Sequence, residues 1–168
     1  MEYLIGAVLG LGLAAFARGT GLDRFPNYLP IVLIVVASYY VLFAAMGGSL
    51  AALGLEVLLF GAFALLALIG FRSGLWWAVL GLFAHGLQDA FHSSLWHNAG
   101  VPSWWPGFCL AIDVTLGTLG SLAIWSAPPR QGMTGDWRLC RDWHAPPCGA
   151  RGARKAFWAK SHHRKGAQ

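Results

Sequence analysis

The residues best suited to chemistry lie in one apolar stretch with the pattern His85-x-x-x-Asp89-x-x-His92. Positions i, i+4 and i+7 share one face of an α-helix, so these three side chains are expected to point in the same direction. The neighbouring apolar stretches each contain one acid, Glu56 before this pattern and Asp113 after it. Imidazoles and carboxylates gathered in this way bind divalent metals or exchange protons with a substrate.

The acids lack the basic partners that usually accompany buried charge. An ionisable side chain at the centre of a membrane helix costs about 2.5–3.5 kcal/mol, and no Lys or Arg lies between Arg72 and Ser126. The acids are therefore expected to be protonated, paired with a histidine or bound to a cation. Nitrogen and oxygen ligands in this combination suit zinc, iron, manganese or copper better than magnesium or calcium. The predicted metal ligands are Glu56, His85, Asp89, His92 and Asp113.

Three of these residues also have a structural explanation. Glu56 can extend its carboxylate toward the membrane surface. Asp113 can be a protonated acid that hydrogen-bonds a neighbouring helix, and His85 can donate a hydrogen bond between helices. The group as a whole favours one functional site over scattered polar contacts, because each polar group in a membrane helix carries its own cost.

The surrounding sequence predicts an all-α integral membrane protein. It contains 57% hydrophobic and only 11% charged residues, which is far from the composition of a soluble domain. Apolar segments near the length of about twenty residues that crosses a bilayer run over 2–17, 28–46, 50–71, 75–96 and 105–125. We therefore expect a bundle of about five transmembrane helices over 1–126 and a separate basic tail over 127–168.

The basic residues predict how this bundle is oriented. Nine of the twelve Lys and Arg residues follow Ser126, and Arg18, Arg24 and Arg72 fall on the same side in a five-span topology. Cytoplasmic segments collect positive charge. The C-terminus is therefore expected inside and the N-terminus outside, in a bacterial inner (plasma) membrane.

The same topology brings three acids to one level. Glu56 lies eight residues after Gly48, Asp89 nine before Asn98, and Asp113 eight after Trp105. All three acids are therefore expected about 12 Å below the outer membrane boundary. His85 lies one turn deeper than Asp89 and His92 one turn shallower. The loop 98–106, with its two prolines, would cover this level either as a lid over a cavity or as an anchor at the membrane surface.

The tail is expected to bind anionic lipid and not nucleic acid. It is rich in Arg, Pro and Gly, and it lacks the apolar pattern of a folded core. Its pattern Cys140-x-x-x-His144-x-x-x-Cys148 offers three soft ligands, but the spacing is longer than in most zinc sites.

Closely spaced glycines recur in the bundle, as in Gly6-x-x-x-Gly10 and Gly70-x-x-x-Gly74. Such spacing lets helix backbones approach one another, within one chain or between copies. An oligomer formed through these faces is one expectation.

The pattern around the polar residues resembles an uncharacterised, domain-of-unknown-function family of small bacterial polytopic membrane proteins. The shared elements are His85-x-x-x-Asp89-x-x-His92 on one helix, a short proline-containing loop, and Cys109-x-x-x-Asp113 on the next helix. The likeness covers roughly 83–117, and the family often has a second histidine where this chain has Ser93. The resemblance implies that these residues act as one site, and it implies no reaction.

Together these features predict a membrane-embedded enzyme that uses a divalent metal and acts on a lipid-like substrate, with Glu56, Asp89 and Asp113 as its catalytic acids. A second interpretation is a proton or metal carrier, in which the same side chains relay ions. Residues 78–84, which precede His85, contain no ionisable group, so a one-sided pocket is favoured over a channel. A third interpretation is an accessory subunit of a membrane complex, with the polar cluster as its interface.

Overall fold

The computed structural model describes residues 1–25 and 27–126, and these residues form α-helices with short connections and no β-strand. The five helices are α1 (Glu2–Thr20), α2 (Tyr28–Gly47), α3 (Leu50–Ser73), α4 (Trp76–Leu95) and α5 (Trp105–Ser126). A single 3-10 turn, Leu22–Arg24, connects α1 to α2. The predicted all-α class is thereby confirmed. The predicted tail over 127–168 lies outside the described residues, and so do Cys140, His144 and Cys148.

Glycines end the first two helices. α1 extends three residues beyond its predicted end and stops at Gly21, whose φ of 78° lies in the left-handed region. α2 stops at Gly48 with a φ of 70°. Glycine adopts this region without the steric penalty of a Cβ, so it ends a helix at little cost. Ser49 then begins α3 by accepting a hydrogen bond from the backbone N–H of Ala52.

Four of the described helices, α1, α2, α3 and α5, are long and apolar enough to cross a membrane. α4 has the length, at 20 residues, but it is not among the four because its polar side chains lower its hydropathy. α4 packs on α2, α3 and α5, so protein and not lipid covers its polar face. A polar helix needs such enclosure in order to cross a bilayer. That α4 crosses the membrane as a fifth span remains a prediction.

The distribution of side chains is that of a protein surrounded by lipid. Large apolar side chains such as Phe16, Leu58 and Leu65 lie on the outside. The interior combines small and apolar residues with several buried polar ones, among them Glu56 and Asp113. In water such a surface would be a large exposed apolar patch, whereas in hydrocarbon it is the stable arrangement. The predicted class of integral membrane protein is confirmed.

The Gly6-x-x-x-Gly10 pair packs α1 against α5. A Cβ at position 6 would overlap the carbonyl oxygen of Phe108, and a Cβ at position 10 would lie 3.0 Å from the Thr115 Cβ. These glycines therefore serve a contact within one chain. An oligomer through glycine-rich faces remains a prediction.

Candidate metal centre

α4 carries three buried polar side chains on one face, as their spacing predicts. His85, Asp89 and His92 are 0%, 1% and 2% exposed. Gly86 faces α5, and a Cβ added at this position would lie 3.4 Å from the Cβ of Asp113. The small residue thus lets the Asp113 backbone come close to the polar face of α4.

One group of metal-binding side chains lies between α4 and α5, and we call it the seam cluster: His85, Asp89, Cys109 and Asp113. Each residue offers one ligand atom, and these four atoms all lie within 4.8 Å of one another. His85 Nδ1 lies 2.6 Å from Asp113 Oδ2, a hydrogen bond, and 3.5 Å from Asp89 Oδ2, an ion-pair distance without hydrogen-bond geometry. Both carboxylates therefore face the same imidazole.

The seam cluster has more buried lone pairs than hydrogen-bond donors. Within residues 1–25 and 27–126, the buried atoms His85 Nε2, Asp89 Oδ2 and Asp113 Oδ1 have no hydrogen-bond partner. An unsatisfied buried polar atom costs about 1–3 kcal/mol. A bound cation would remove this cost for each of these atoms that coordinates it, because imidazole nitrogens and carboxylate oxygens are metal ligands.

The charges in the seam cluster also favour a cation. Among the side chains that the structure describes, the ion-pair partners of Glu56, Asp89 and Asp113 are His85 and His92 alone. His85 can offset at most one of the two carboxylates that face it. A divalent ion would balance both, which matters because an uncompensated charge in a membrane interior is costly.

A second group lies at the C-terminal end of α4, and we call it the loop cluster: Glu56, His92, Trp96 and Asn98. Glu56 Oε1 lies 2.8 Å from His92 Nε2, and it accepts hydrogen bonds from Trp96 Nε1 at 3.0 Å and Asn98 Nδ2 at 3.1 Å. Glu56 is 1% exposed, and its other oxygen has no partner in the described part of the chain. Three nitrogens thus hold one carboxylate oxygen in place and leave the second oxygen available.

Asn98 connects the α4–α5 loop to two helices. Besides Glu56 on α3, its side-chain amide donates to the backbone oxygen of Tyr40 on α2 at 3.4 Å, and its oxygen accepts from Gly100 N at 3.2 Å. Gly100 lies directly against the Phe43 carbonyl, where no Cβ would fit. The loop is therefore docked on α2 and α3, over the loop cluster, as expected of a loop that covers the polar residues.

Tyr40 joins the two clusters. Its hydroxyl donates a hydrogen bond to Asp89 Oδ1 at 2.6 Å. Its ring stacks on His92, with ring centroids 4.3 Å apart and an interplanar angle of 24°. The two clusters are thus separate in their hydrogen bonds but share one aromatic residue.

All five residues predicted as metal ligands are buried, and the structure divides them between the clusters. His85, Asp89 and Asp113 lie in the seam cluster. Glu56 and His92 contact each other in the loop cluster and are not members of the four-residue metal-binding group.

Sequence reasoning omitted from the candidate set three members of the two clusters, Trp96, Asn98 and Cys109, and also Tyr40, which contacts both clusters. Cys109 could have been included, because it precedes Asp113 by one helical turn and so shares its face. Trp96 carries no such signal, since tryptophan at the end of a membrane helix is common as an interfacial anchor, and neither does Asn98, since asparagine is common in turns. Tyr40 lies within α2, and only its contacts in the folded bundle distinguish it.

The fold and the site define a class of protein: an all-α integral membrane protein with a buried His/Asp/Cys cluster that could hold a metal ion. Comparison with protein-family models, with curated proteins and with solved structures found no match. Function is therefore inferred from the side chains and the distances between them.

Proposed function

We propose that this chain is a membrane-embedded metalloprotein that holds one divalent transition metal at the seam cluster. The observation that carries this proposal is the approach of four buried ligand atoms to within 4.8 Å of one another. In a tetrahedral site with bonds of about 2.0–2.3 Å, ligand atoms lie about 3.3–3.8 Å apart. Small side-chain movements would therefore close the cluster around an ion.

The presence of Cys109 narrows the choice of metal. A thiolate with an imidazole and carboxylates suits zinc or iron, and it disfavours manganese, which prefers oxygen ligands. Zinc fits best because it accepts sulfur, nitrogen and oxygen ligands in one tetrahedral set. We therefore propose zinc as the first metal to test, with iron and copper next.

The proposed ligand set differs from the one that the sequence suggested. It keeps His85, Asp89 and Asp113 and adds Cys109. It leaves out Glu56 and His92 as resident ligands, because they are not part of the group whose ligand atoms lie within 4.8 Å of one another.

Catalysis on a lipid-like substrate is a further step of the proposal. A catalytic metal needs an open coordination position, whereas four protein ligands fill a tetrahedral ion. Three ligands and one open position would remain if Cys109 stayed a thiol. The ion would then supply Lewis-acid chemistry at the open position, where a lipid-like substrate would bind.

Metal analysis of purified protein tests the proposal. The full chain, purified in detergent without chelators, is expected to contain close to one transition-metal ion per chain by inductively coupled plasma mass spectrometry. Cys109→Ser and Asp113→Asn are expected to lose most of it. His97→Gln is the matched control, because His97 is an exposed histidine beside the loop cluster and its replacement should leave the metal content unchanged.

A metal-free parent protein would overturn this function. The same conclusion would follow if Cys109→Ser and Asp113→Asn retained the parent's metal content, since the ion would then be bound elsewhere. Thermal unfolding of the stripped proteins shows whether a variant lost its metal because it misfolded.

A further inference from the structure

We propose that Glu56 and His92 form a second, transient metal-binding pair, through which an ion passes on its way to the seam cluster. This inference rests on the proposed metal binding at the seam cluster. It assigns to Glu56 and His92 a role in delivering metal to the seam cluster, distinct from permanent coordination.

The seam cluster needs such a path because it is closed. Its four residues are between 0% and 2% exposed. A dehydrated divalent ion cannot cross an apolar core by itself, because the cost of moving a bare charge out of water is very large. Ligands along the route lower that cost by replacing water step by step.

The polar residues point to the loop end of α4 as the side of access. Toward the start of α4, residues 78–84 contain no ionisable group, and Ala78, Val79 and Leu82 are buried in the apolar core. Toward the loop, His92 lies on the same face as His85 and Asp89, one turn beyond Asp89. Among the residues of α4, buried metal-binding side chains therefore continue from the seam cluster only toward the loop.

Glu56 and His92 have the chemistry of a transient site. They provide one carboxylate and one imidazole, and Glu56 Oε2 is buried without a partner in the described ranges. Two protein ligands hold a transition metal less firmly than the four of the seam cluster, so an ion can leave the pair for the deeper site.

Tyr40 connects this pair to the seam cluster. Its ring lies on His92 and its hydroxyl reaches Asp89, so the same side chain lines the step between the two clusters. The loop held by Asn98 covers the pair, and its release would open the pair to the membrane surface.

Cobalt(II) uptake by metal-stripped protein tests the inference. A cobalt–thiolate absorption band reports arrival at Cys109, provided that all proteins carry Cys140→Ser and Cys148→Ser, which removes the other thiols. Stopped-flow mixing with cobalt chloride in detergent gives the loading rate, and the final band gives the amount bound at equilibrium.

Glu56→Gln and His92→Gln are expected to reach the parent's final band but roughly tenfold more slowly, which corresponds to about 1.4 kcal/mol added to the barrier. Glu56→Asp keeps a carboxylate and is expected to load at nearly the parent's rate. His97→Gln, which replaces an exposed histidine, is the control and should not change the rate.

Loading at the parent's rate in both Glu56→Gln and His92→Gln would overturn the inference. A lower final band in these variants would also overturn it, because Glu56 and His92 would then be resident ligands. Absence of any band in the parent would instead refute the proposed four-residue ligand set, which includes Cys109. If Glu56→Gln does not fold, His92→Gln decides the question on the same criteria.

Discussion

Tyr40 on α2 donates a 2.6 Å hydrogen bond to Asp89 on α4, and both residues are 1% exposed. The Tyr40 hydroxyl thus holds one carboxylate oxygen of a proposed metal ligand. Because the Tyr40 ring also stacks on His92, one residue of α2 contacts two of the three buried polar residues of α4. Tyr40 is therefore a positioning residue for the seam cluster.

Replacing Tyr40 by Phe is expected to weaken metal binding and to destabilise the metal-free protein. The change leaves Asp89 Oδ1 buried without its donor, which costs about 1–3 kcal/mol. Loss of a hydrogen bond that orients a metal ligand typically lowers affinity by about 10–100-fold. Zinc titration and thermal unfolding measure the two effects. Tyr39→Phe is the control, since Tyr39 is 38% exposed, and an equal effect there would contradict the role of Tyr40.

Alanine at position 6 is expected to loosen the packing of α1 on α5. The new Cβ would overlap the Phe108 carbonyl, and overpacking of this kind costs about 1–3 kcal/mol. At Gly12 on the same helix, a Cβ would point into open space with respect to the described residues, so Gly12→Ala should be neutral or stabilising. Thermal unfolding in detergent compares the two variants, and equal melting temperatures would argue against the α1–α5 contact.

Asn98→Ala is expected to release the α4–α5 loop. The substitution removes the bonds to Glu56 and Tyr40 and the acceptor for Gly100 N–H. Amide hydrogen exchange at Gly100 should become faster, because that N–H loses its partner. Asn27→Ala is the control, since Asn27 is exposed and makes no side-chain cap bond. Unchanged exchange at Gly100 would show that the loop is held by other contacts.

The sequence was sufficient to predict the class of fold and the polar face of α4. The apolar segments predicted the helices because lipid imposes their length and composition. The i, i+4, i+7 spacing predicted that His85, Asp89 and His92 would share a face, because helical geometry is local.

The division into two clusters could not be predicted from sequence. It depends on how α3 and α5 lie against α4, which side-chain spacing within single helices does not determine. The matched depth of Glu56 and Asp113 suggested one ligand set. The structure instead places Glu56 beside His92 and Asp113 beside His85, so the two acids contact positions of α4 that lie about two helical turns apart.

The orientation of the chain is a prediction that the basic residues support. An alkaline phosphatase fused after Gln168 is expected to be inactive and a fluorescent protein at the same site to be fluorescent, because Lys and Arg collect on the cytoplasmic side. An active phosphatase would reverse the topology. The seam and loop clusters would then lie in the inner half of the membrane, with their contacts unchanged.

Asp89→Asn distinguishes a metal site from a set of hydrogen-bonding acids by the sign of its effect on stability. Asn keeps an acceptor oxygen for the Tyr40 hydroxyl and removes a buried carboxylate, so the stripped variant should melt no lower than the stripped parent. A metal stabilises the folded state by mass action, so with zinc present the parent should melt higher than the variant. The expected result is therefore a zinc-dependent difference in melting temperature that disappears after chelation. Equal melting of parent and variant in zinc would contradict Asp89 as a ligand and would favour protonated, hydrogen-bonded acids.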